Sequence, residues 1–260
     1  MKNILSFIIL LLLITSCKQT TEQEKDVAKK NETSEISFFT KDSLKIYGDL
    51  FEIDKTAPTI LLFHQGGANS RGEYHSIIPV LNEEGFIVLA IDHRLGGQRF
   101  GNYNRTVAEI PRNTFGYCDA YPDLEAALNF VATNNFSGKK IVWGSSYSAT
   151  LGIKFANENP DIIDGVLAFS PASGDPMEGC RPEEYIKILK TPLLLLRPAR
   201  EAEIESVKNQ LALAKEYNHE TYVAKNGVHG SSMLVEDRVG NSVNENWAVV
   251  KTFLTKFKKE

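Results

Sequence analysis

The sequence has 260 residues, 29 Lys and Arg against 33 Asp and Glu, and a formal net charge of -4 at pH 7. Charges of both signs are interspersed and form no basic stripe, so nothing in the composition supports nucleic-acid binding. Once a polar amino-terminal stretch is set aside, the remaining length suits one α/β domain.

The amino terminus has the features of an export signal. After Lys2, an almost exclusively apolar run extends from Ile4 to Ile14. It is shorter than the ~20 residues needed to cross a bilayer, which favours a signal peptide over a membrane span. The run ends in Leu-Ile-Thr-Ser-Cys at Cys17, which resembles the lipobox of bacterial lipoproteins. The resemblance implies a signal peptide over residues 1–16, lipidation of Cys17 and a membrane anchor in the bacterial cell envelope. An ordinary signal peptide followed by an unrelated cysteine is the alternative.

A tether is expected between this anchor and the folded domain. Residues 18–35 are mostly Thr, Gln, Glu, Lys, Asp and Asn, with almost no apolar side chains. Such a segment cannot bury enough apolar surface to offset the entropy lost on ordering. We therefore expect residues 17–35 to form a flexible lipidated tether and residues 36–260 to form the domain.

Strand-like segments recur through that domain. Residues 36–39 and 44–53 predict two edge strands joined by a polar turn. Continuous apolar runs follow, as expected of parallel strands that are covered on both faces. These runs are Thr59–Phe63, Phe86–Ile91, Lys140–Trp143, Gly165–Phe169 and Pro192–Leu196, with a weaker strand at Tyr222–Ala224.

Helical periodicity falls between these strands. The clearest apolar stripes are residues 124, 128 and 131, residues 204, 207, 211 and 214, and residues 247, 250, 254 and 257. Buried strands that alternate with amphipathic helices indicate a sheet with helices on both faces. The predicted fold is therefore α/β, with a mostly parallel central sheet of about eight strands.

The most informative segment joins a strand to a helix. The apolar strand that begins at Ile141 runs into Gly-Ser-Ser-Tyr-Ser over residues 144–148, and a helix-like segment follows. This pattern resembles the nucleophile elbow of α/β-hydrolases, where small residues let strand and helix approach closely and expose the nucleophile. The resemblance implies Ser146 as the nucleophile. Ser148 replaces the glycine usual at the second small position.

The same family order, nucleophile then acid then histidine, predicts the other two members of a triad. His229 follows the strand at Tyr222–Ala224 and precedes the last helix, which makes it the expected general base. The acid is expected after the strand that ends at Leu196, and Glu201 occupies that place. Glu203 and Asp175 remain alternatives, and solvated carboxylate is the ordinary fate of all three.

Two backbone N–H groups should stabilise the oxyanion. The resemblance assigns one to Tyr147, directly after the nucleophile. The other should come from the turn His-Gln-Gly-Gly after the strand that ends at Phe63, and either Gln65 or Gly66 can supply it. His64 in this turn is expected to be a structural hydrogen-bonding residue.

Together these motifs cover residues 36–260 and resemble the α/β-hydrolase superfamily, nearest to its dienelactone-hydrolase-like and esterase-like members. The resemblance implies a serine esterase that works through an acyl-enzyme on a small-molecule or glycan ester, without a metal and without an organic cofactor. A serine peptidase of the same fold is one alternative. A non-catalytic binding lipoprotein is another, because Gln65, Ser148 and the glutamate acid depart from the usual pattern.

A long loop between Asp92 and Pro122 is expected to overhang the site, because its ~30 residues exceed the usual loop length. It contains several aromatic and amide side chains, which suit a sugar. It also contains four arginines, which suit a substrate carboxylate or pair with local acids. They are Arg94, Arg99, Arg105 and Arg112.

Cys118 ends this loop, and Cys180 lies in the shorter loop after the strand Gly165–Phe169. Both loops leave carboxyl ends of parallel strands, the edge where ligands bind in open α/β sheets. Secretion permits a disulfide between them beside the site. Two free buried thiols are the alternative.

Overall fold

In the computed structural model of the chain, residues 32–108, 110–111 and 114–258 are described. The predicted signal peptide, the lipidation candidate Cys17 and the tether as far as residue 31 lie outside the described residues. Within the described ranges, no helix combines the length and the apolar character needed to cross a membrane.

Eight strands of the described chain form one sheet. They are Glu32–Phe39 (β1), Lys45–Glu52 (β2), Thr59–Phe63 (β3), Ile87–Asp92 (β4), Lys140–Ser145 (β5), Gly165–Phe169 (β6), Leu193–Pro198 (β7) and Glu220–Ala224 (β8). Their spatial order is β1-β2-β4-β3-β5-β6-β7-β8. β2 is antiparallel to β1 and to β4, and the remaining neighbours are parallel. The prediction of a mostly parallel sheet of about eight strands is confirmed.

The amino-terminal pair of strands differs from the prediction in two respects. β1 begins at Glu32, inside the segment predicted as tether, and its first residues pair with the end of β2, with Glu32 opposite Glu52. The first residues of β1 are in a strand because their backbone pairs with β2. Their polar sequence has no alternation of apolar residues, so it did not predict a strand. β2 is also not an edge strand, because β4 pairs with its other side, with Leu50 opposite Leu89.

The helices of the described chain are Ser70–Tyr74 (α1), Ile78–Glu83 (α2), Tyr121–Thr133 (α3), Tyr147–Glu158 (α4), Pro182–Ile186 (α5), Ala199–Ala202 (α6), Glu205–Glu216 (α7), Glu236–Val239 (α8) and Asn244–Leu254 (α9). The three apolar stripes coincide with α3, α7 and α9, and the elbow resemblance predicted α4, whereas no stripe predicted the shorter helices. α3 begins with Tyr121-Pro122, and proline is suited to a first turn because its missing N–H needs no partner there. α9 ends at Leu254, and a 3-10 turn over Thr255–Phe257 continues its apolar stripe.

Two cores cover the two faces of the sheet. Alternate residues of β3 enter different cores, with Leu61 and Phe63 in one and Ile60 and Leu62 in the other. This is the two-residue period of strand side chains. Helices α3, α4 and α7 pack on the first face, and α1, α2 and α9 pack on the second. The parallel strands between them end at one common edge of the sheet, where the predicted site residues follow them.

Candidate active site

Ser146 lies between the end of β5 and the start of α4, as the elbow resemblance implies. Its backbone has φ 63 and ψ -122, a left-handed φ that is unusual for a non-glycine residue and costs conformational energy. The adjacent strand holds this conformation, because the Ser146 N–H donates to the Phe169 carbonyl at 2.9 Å. A side chain at Gly144 would meet the backbone of Ala149 at 2.4 Å, so only glycine permits this approach of strand and helix.

Ser148, the departure from the usual elbow, has a structural role. Its hydroxyl accepts the Ser145 N–H at 2.9 Å and donates to the Phe63 carbonyl at 2.6 Å. It therefore ties the elbow to the end of β3, which leads into the turn over residues 64–67, called the oxyanion turn below after its predicted role. A glycine could pack here but would leave this connection unmade.

The structure brings His229 and Glu201 together. Nδ1 of His229 lies 2.6 Å from Oε1 of Glu201, whose other oxygen lies 3.1 Å from the Arg197 guanidinium. Burial alone would raise the pKa of Glu201, but the hydrogen bond and charge of His229, with Arg197, hold that pKa near 2. Glu201 is therefore ionised near neutral pH and orients the imidazole, whose side chain is 40% exposed.

The two alternative acids lie elsewhere. The Glu203 side chain is 80% exposed and lies 3.5 Å from Lys208. The Asp175 side chain is fully exposed and lies 3.6 Å from Arg181. Both have the environment of solvated surface carboxylates, so the geometry favours Glu201.

Ser170 also belongs to this group, although the sequence did not single it out. Its hydroxyl accepts the N–H of Gly230, directly after His229, at 3.0 Å. It also hydrogen bonds with Glu201 and favours the ionised form of that carboxyl. Ser170 follows β6 at the same edge as the other site residues, which is the signal that could have identified it.

The two oxyanion candidates in the turn after β3 differ in the hydrogen bonds of their N–H groups. The Gln65 N–H donates to the Glu73 carboxylate at 2.8 Å and is therefore already occupied. The N–H of Gly66 has no acceptor among the described residues. The Tyr147 N–H opens α4, where first-turn amides have no partner within the helix. The geometry thus favours Tyr147 and Gly66 and argues against Gln65.

His64 is buried and structural in the geometry shown. Nδ1 lies 2.9 Å from the Gln65 carbonyl, and Nε2 lies 2.9 Å from the His93 N–H, which donates to it. Burial, together with the neighbouring His93, lowers the pKa of His64 to about 4. A neutral imidazole in this place fastens the oxyanion turn to the end of β4.

Two of the four loop arginines pair with internal acids. Arg94 bonds Asp123 and Asp42, and Arg105 bonds Asp92 and Asp49. Because these guanidinium groups are already paired with carboxylates of the same chain, they are not free to bind the carboxylate of a substrate. Arg112 lies outside the described residues.

The same loop lines an open cavity of about 830 Å³ beside the oxyanion turn. Gly66, Tyr103 and Tyr117 line it, with Pro176 from the loop after β6. The Tyr117 ring stacks on the buried Tyr147 ring, with centroids 4.9 Å apart. The cavity therefore offers exposed aromatic faces next to the candidate oxyanion donors.

Cys118 and Cys180 are joined by a disulfide in the structure, with their Cα atoms 5.9 Å apart. The bond links the loop after β4 to the loop after β6. Because Tyr117 directly precedes Cys118, the disulfide also fixes the ring that lies against Gly66. No group of His, Cys, Asp and Glu side chains in the described part of the chain is arranged to hold a metal ion.

Comparisons with known proteins identify the family and the fold of the chain. The sequence matches the family described as serine aminopeptidase, S33, over residues 54–245. Comparison with curated proteins gave no match. The fold is similar to an esterase from Pyrococcus furiosus, with TM-score 0.65, 21% identity and coverage of 89% of this chain and 93% of that one.

Two further solved structures have the same fold. A Klebsiella pneumoniae protein described as a dienelactone hydrolase has TM-score 0.66 and 14% identity, with 87% of this chain and 99% of that one covered. Est1E from Butyrivibrio proteoclasticus, solved with ferulic acid bound, has TM-score 0.65 and 15% identity, with 85% and 98% covered. At these identities the likeness shows the fold alone, whereas the sequence match spans most of the chain. The chain belongs to the α/β-hydrolase superfamily, within the family described as serine aminopeptidase, S33.

Proposed function

We propose that this chain is a serine hydrolase that cleaves carboxylic esters, with Ser146, His229 and Glu201 as its triad. One observation carries the proposal: His229 Nδ1 lies 2.6 Å from the Glu201 carboxylate at the sheet edge where Ser146 occupies a strained turn. The order along the chain is that of the superfamily. An imidazole that a carboxylate orients, at the same sheet edge as a serine on a strained strand-to-helix turn, is the arrangement expected to activate a hydroxyl nucleophile.

The proposed reaction proceeds by double displacement. His229 takes the hydroxyl proton as Ser146 Oγ attacks the ester carbonyl carbon, and the carbonyl oxygen becomes an oxyanion held by the N–H groups of Tyr147 and Gly66. The imidazolium then gives its proton to the departing alkoxide, and an acyl-enzyme and an alcohol result. Water, deprotonated by His229, attacks the acyl carbon, the bond from that carbon to Ser146 Oγ breaks, and the imidazolium returns the proton to Oγ as the acid leaves. Glu201 remains ionised and stabilises the imidazolium in both steps.

We propose a ring-bearing ester, either a small molecule or an acylated glycan, as the substrate. The tyrosines of the cavity support this class, since flat aromatic faces stack on sugar and aromatic rings. Ferulic acid, an aromatic acid, is the ligand of one protein with the same fold. Arg94 and Arg105 give no support for a charged substrate, because internal acids already pair with them.

The family description supports a peptidase as the second candidate. Activated esters do not separate the two, because serine peptidases also cleave them. The test is the ratio of kcat/KM for an unactivated acetylated sugar to that for aminoacyl p-nitroanilides, with Ser146→Ala as the control for background hydrolysis. We expect ester cleavage to dominate. Efficient anilide cleavage with no sugar deacetylation would establish the peptidase instead, and inactivity of the folded protein on both would favour a binding role.

We also propose that Cys17 carries lipid and holds the enzyme at the bacterial cell envelope. The lipobox-like sequence that ends at Cys17 supports this location. The full-length Cys17→Ser variant should move from the membrane fraction to the soluble fraction and keep its activity. Retention of that variant in the membrane would contradict lipidation.

A further inference from the structure

Glu73 is a buried carboxyl group that the proposed reaction does not use. It lies in the short helix α1, and its exposure is 0%. Carboxylates are almost never fully buried unless other groups pair with them, so the groups that contact the Glu73 carboxyl indicate what it does.

One set of contacts joins Glu73 to the oxyanion turn. Oε2 accepts the backbone N–H of Gln65 at 2.8 Å, and Oε1 lies 3.3 Å from Nε2 of the Gln65 side chain. Both contacts are buried. The hydrogen bond from the Gln65 N–H fixes the peptide group directly before the one that carries the Gly66 N–H. The Gly66 N–H itself has no acceptor in the described chain.

A second set of contacts continues from Glu73 to the elbow and the histidine loop. The Ser145 hydroxyl interacts with the Glu73 carboxyl, and its oxygen accepts the Ser231 N–H at 3.0 Å. A Cβ on Gly230 would lie 2.3 Å from this hydroxyl oxygen and 3.4 Å from Gln65 Nε2. The residues directly before Ser146 and directly after His229 are thus packed around the groups that Glu73 binds.

Arg238 adds a positive charge to the same place. Its guanidinium donates to the main-chain carbonyls of Glu73 and Gly72 at 3.0 and 2.7 Å, and to the Ser232 hydroxyl at 3.1 Å. Burial raises the pKa of Glu73, while the Ser145 hydroxyl, the two Gln65 donors and Arg238 favour the ionised form. Burial outweighs these groups, so the pKa of Glu73 is raised overall, while the hydrogen bonds from Gln65 fix the orientation of the carboxyl group.

We propose that Glu73 is a positioning residue of this active site, which orients the oxyanion turn through the Gln65 N–H and holds the elbow and the His229 loop through Ser145. The inference rests on the proposed function, because it assigns a role in the same reaction. It also accounts for Gln65 in place of the glycine of the related turn. The glutamine side chain supplies Glu73 with a second donor that glycine lacks.

The test is steady-state hydrolysis of p-nitrophenyl acetate by Glu73→Gln. The amide keeps the volume of the side chain but places an NH₂ group among donors. Loss of one oxyanion donor lowers kcat by about 10²–10³-fold, so a misaligned turn should lower it by about 10- to 100-fold. KM should change little, because Glu73 does not line the cavity. Hydrolysis by the wild type reports on the proposed triad, and the ratio of variant to wild type reports on Glu73.

Asp164→Asn is the matched control. Asp164 also accepts a backbone N–H, that of Lys140, at 2.8 Å, together with the Lys139 ammonium, but at the opposite end of β5. If Glu73 has only a structural role, both substitutions lower the melting temperature and neither lowers kcat at a temperature where the proteins are folded. That result, or an equal loss of kcat in both variants, would overturn the proposal.

Ser145→Ala covers the case in which Glu73→Gln does not fold. The change removes one buried hydroxyl and leaves a small residue beside the nucleophile. It deletes the acceptor of the Ser231 N–H and the link from Glu73 to the elbow. We expect kcat to fall by about tenfold with KM little changed. A folded Ser145→Ala protein with wild-type kcat would refute the proposed network.

Discussion

The residues of the proposed triad and the loop that covers them are held in place in different ways. Ser146 directly follows β5, Glu201 lies in the single-turn helix α6 after β7, and His229 lies in the loop after β8. Hydrogen bonds to neighbouring segments hold these residues, such as that from the Ser146 N–H to the Phe169 carbonyl. The described residues of the loop between β4 and α3 have little regular structure. Ion pairs such as Arg94 with Asp123 and a disulfide hold it. The sheet therefore positions the chemistry, while charges and a covalent bond position the cavity, and each can be perturbed separately.

The largest effect is expected from the residues on the sheet edge. His229→Ala should lower kcat for p-nitrophenyl acetate by about 10⁴–10⁶-fold, and Ser146→Ala by a similar factor, because triad members act as a unit. The double variant should be little worse than either single variant. Multiplicative losses in the double variant would show that the two residues act independently.

The next effect distinguishes the candidate acids. Glu201→Gln should lower kcat by about 10²–10⁴-fold, since a neutral amide neither orients the imidazole in the same way nor stabilises the imidazolium. Glu203→Gln, two residues further and largely exposed, is the control and should retain wild-type kcat. Measurement of kcat for both variants identifies the acid of the triad. A larger loss of kcat in Glu203→Gln than in Glu201→Gln would assign that role to Glu203.

Stability at acid pH gives an independent check of Glu201. Its pKa is lowered from 4.5 to about 2 in the folded chain, so its ionised form stabilises the fold fully above about pH 4.5. This contribution is lost as the pH falls towards 2, when the carboxyl becomes protonated. The difference in unfolding free energy between wild type and Glu201→Gln, measured with denaturant, should shrink over that range. A difference that does not change with pH would contradict the lowered pKa.

A smaller effect on rate is expected from the loop. The double variant Cys118→Ser/Cys180→Ser should lower the unfolding free energy by about 2–4 kcal/mol, because the disulfide constrains the unfolded chain. It should raise KM for a ring-bearing ester, since Tyr117 loses its fixed position, and leave kcat for p-nitrophenyl acetate nearly unchanged. Loss of kcat with unchanged KM would mean that the disulfide supports the triad itself.

Local sequence predicted the parts of the fold that local chemistry determines. Apolar runs located the parallel strands, and Gly144 to Ser148 identified the elbow, because a tight turn between a buried strand and a helix needs small residues at fixed spacing. The start of β1 at Glu32 was missed because backbone pairing with β2, not its side chains, made it a strand.

The candidate site was predictable in part for a similar reason. His229 follows from chain order, whereas Glu201, Glu203 and Asp175 could not be separated until the fold placed one of them beside the imidazole. Glu73 was missed because, besides the nearby Gln65, the groups around it belong to distant segments, at Ser145 and Arg238. The one sequence feature that pointed to Glu73 was Gln65, which stands where the related turn has a glycine.

The central claim, that Ser146 is an activated nucleophile, is tested most directly by covalent labelling. A fluorophosphonate should add once to the folded wild-type protein, and peptide mapping should place the adduct on Ser146. Ser146→Ala should not be labelled, and His229→Ala should be labelled far more slowly. An adduct on Ser145 or Ser231, or no adduct on the folded wild-type protein, would contradict the account.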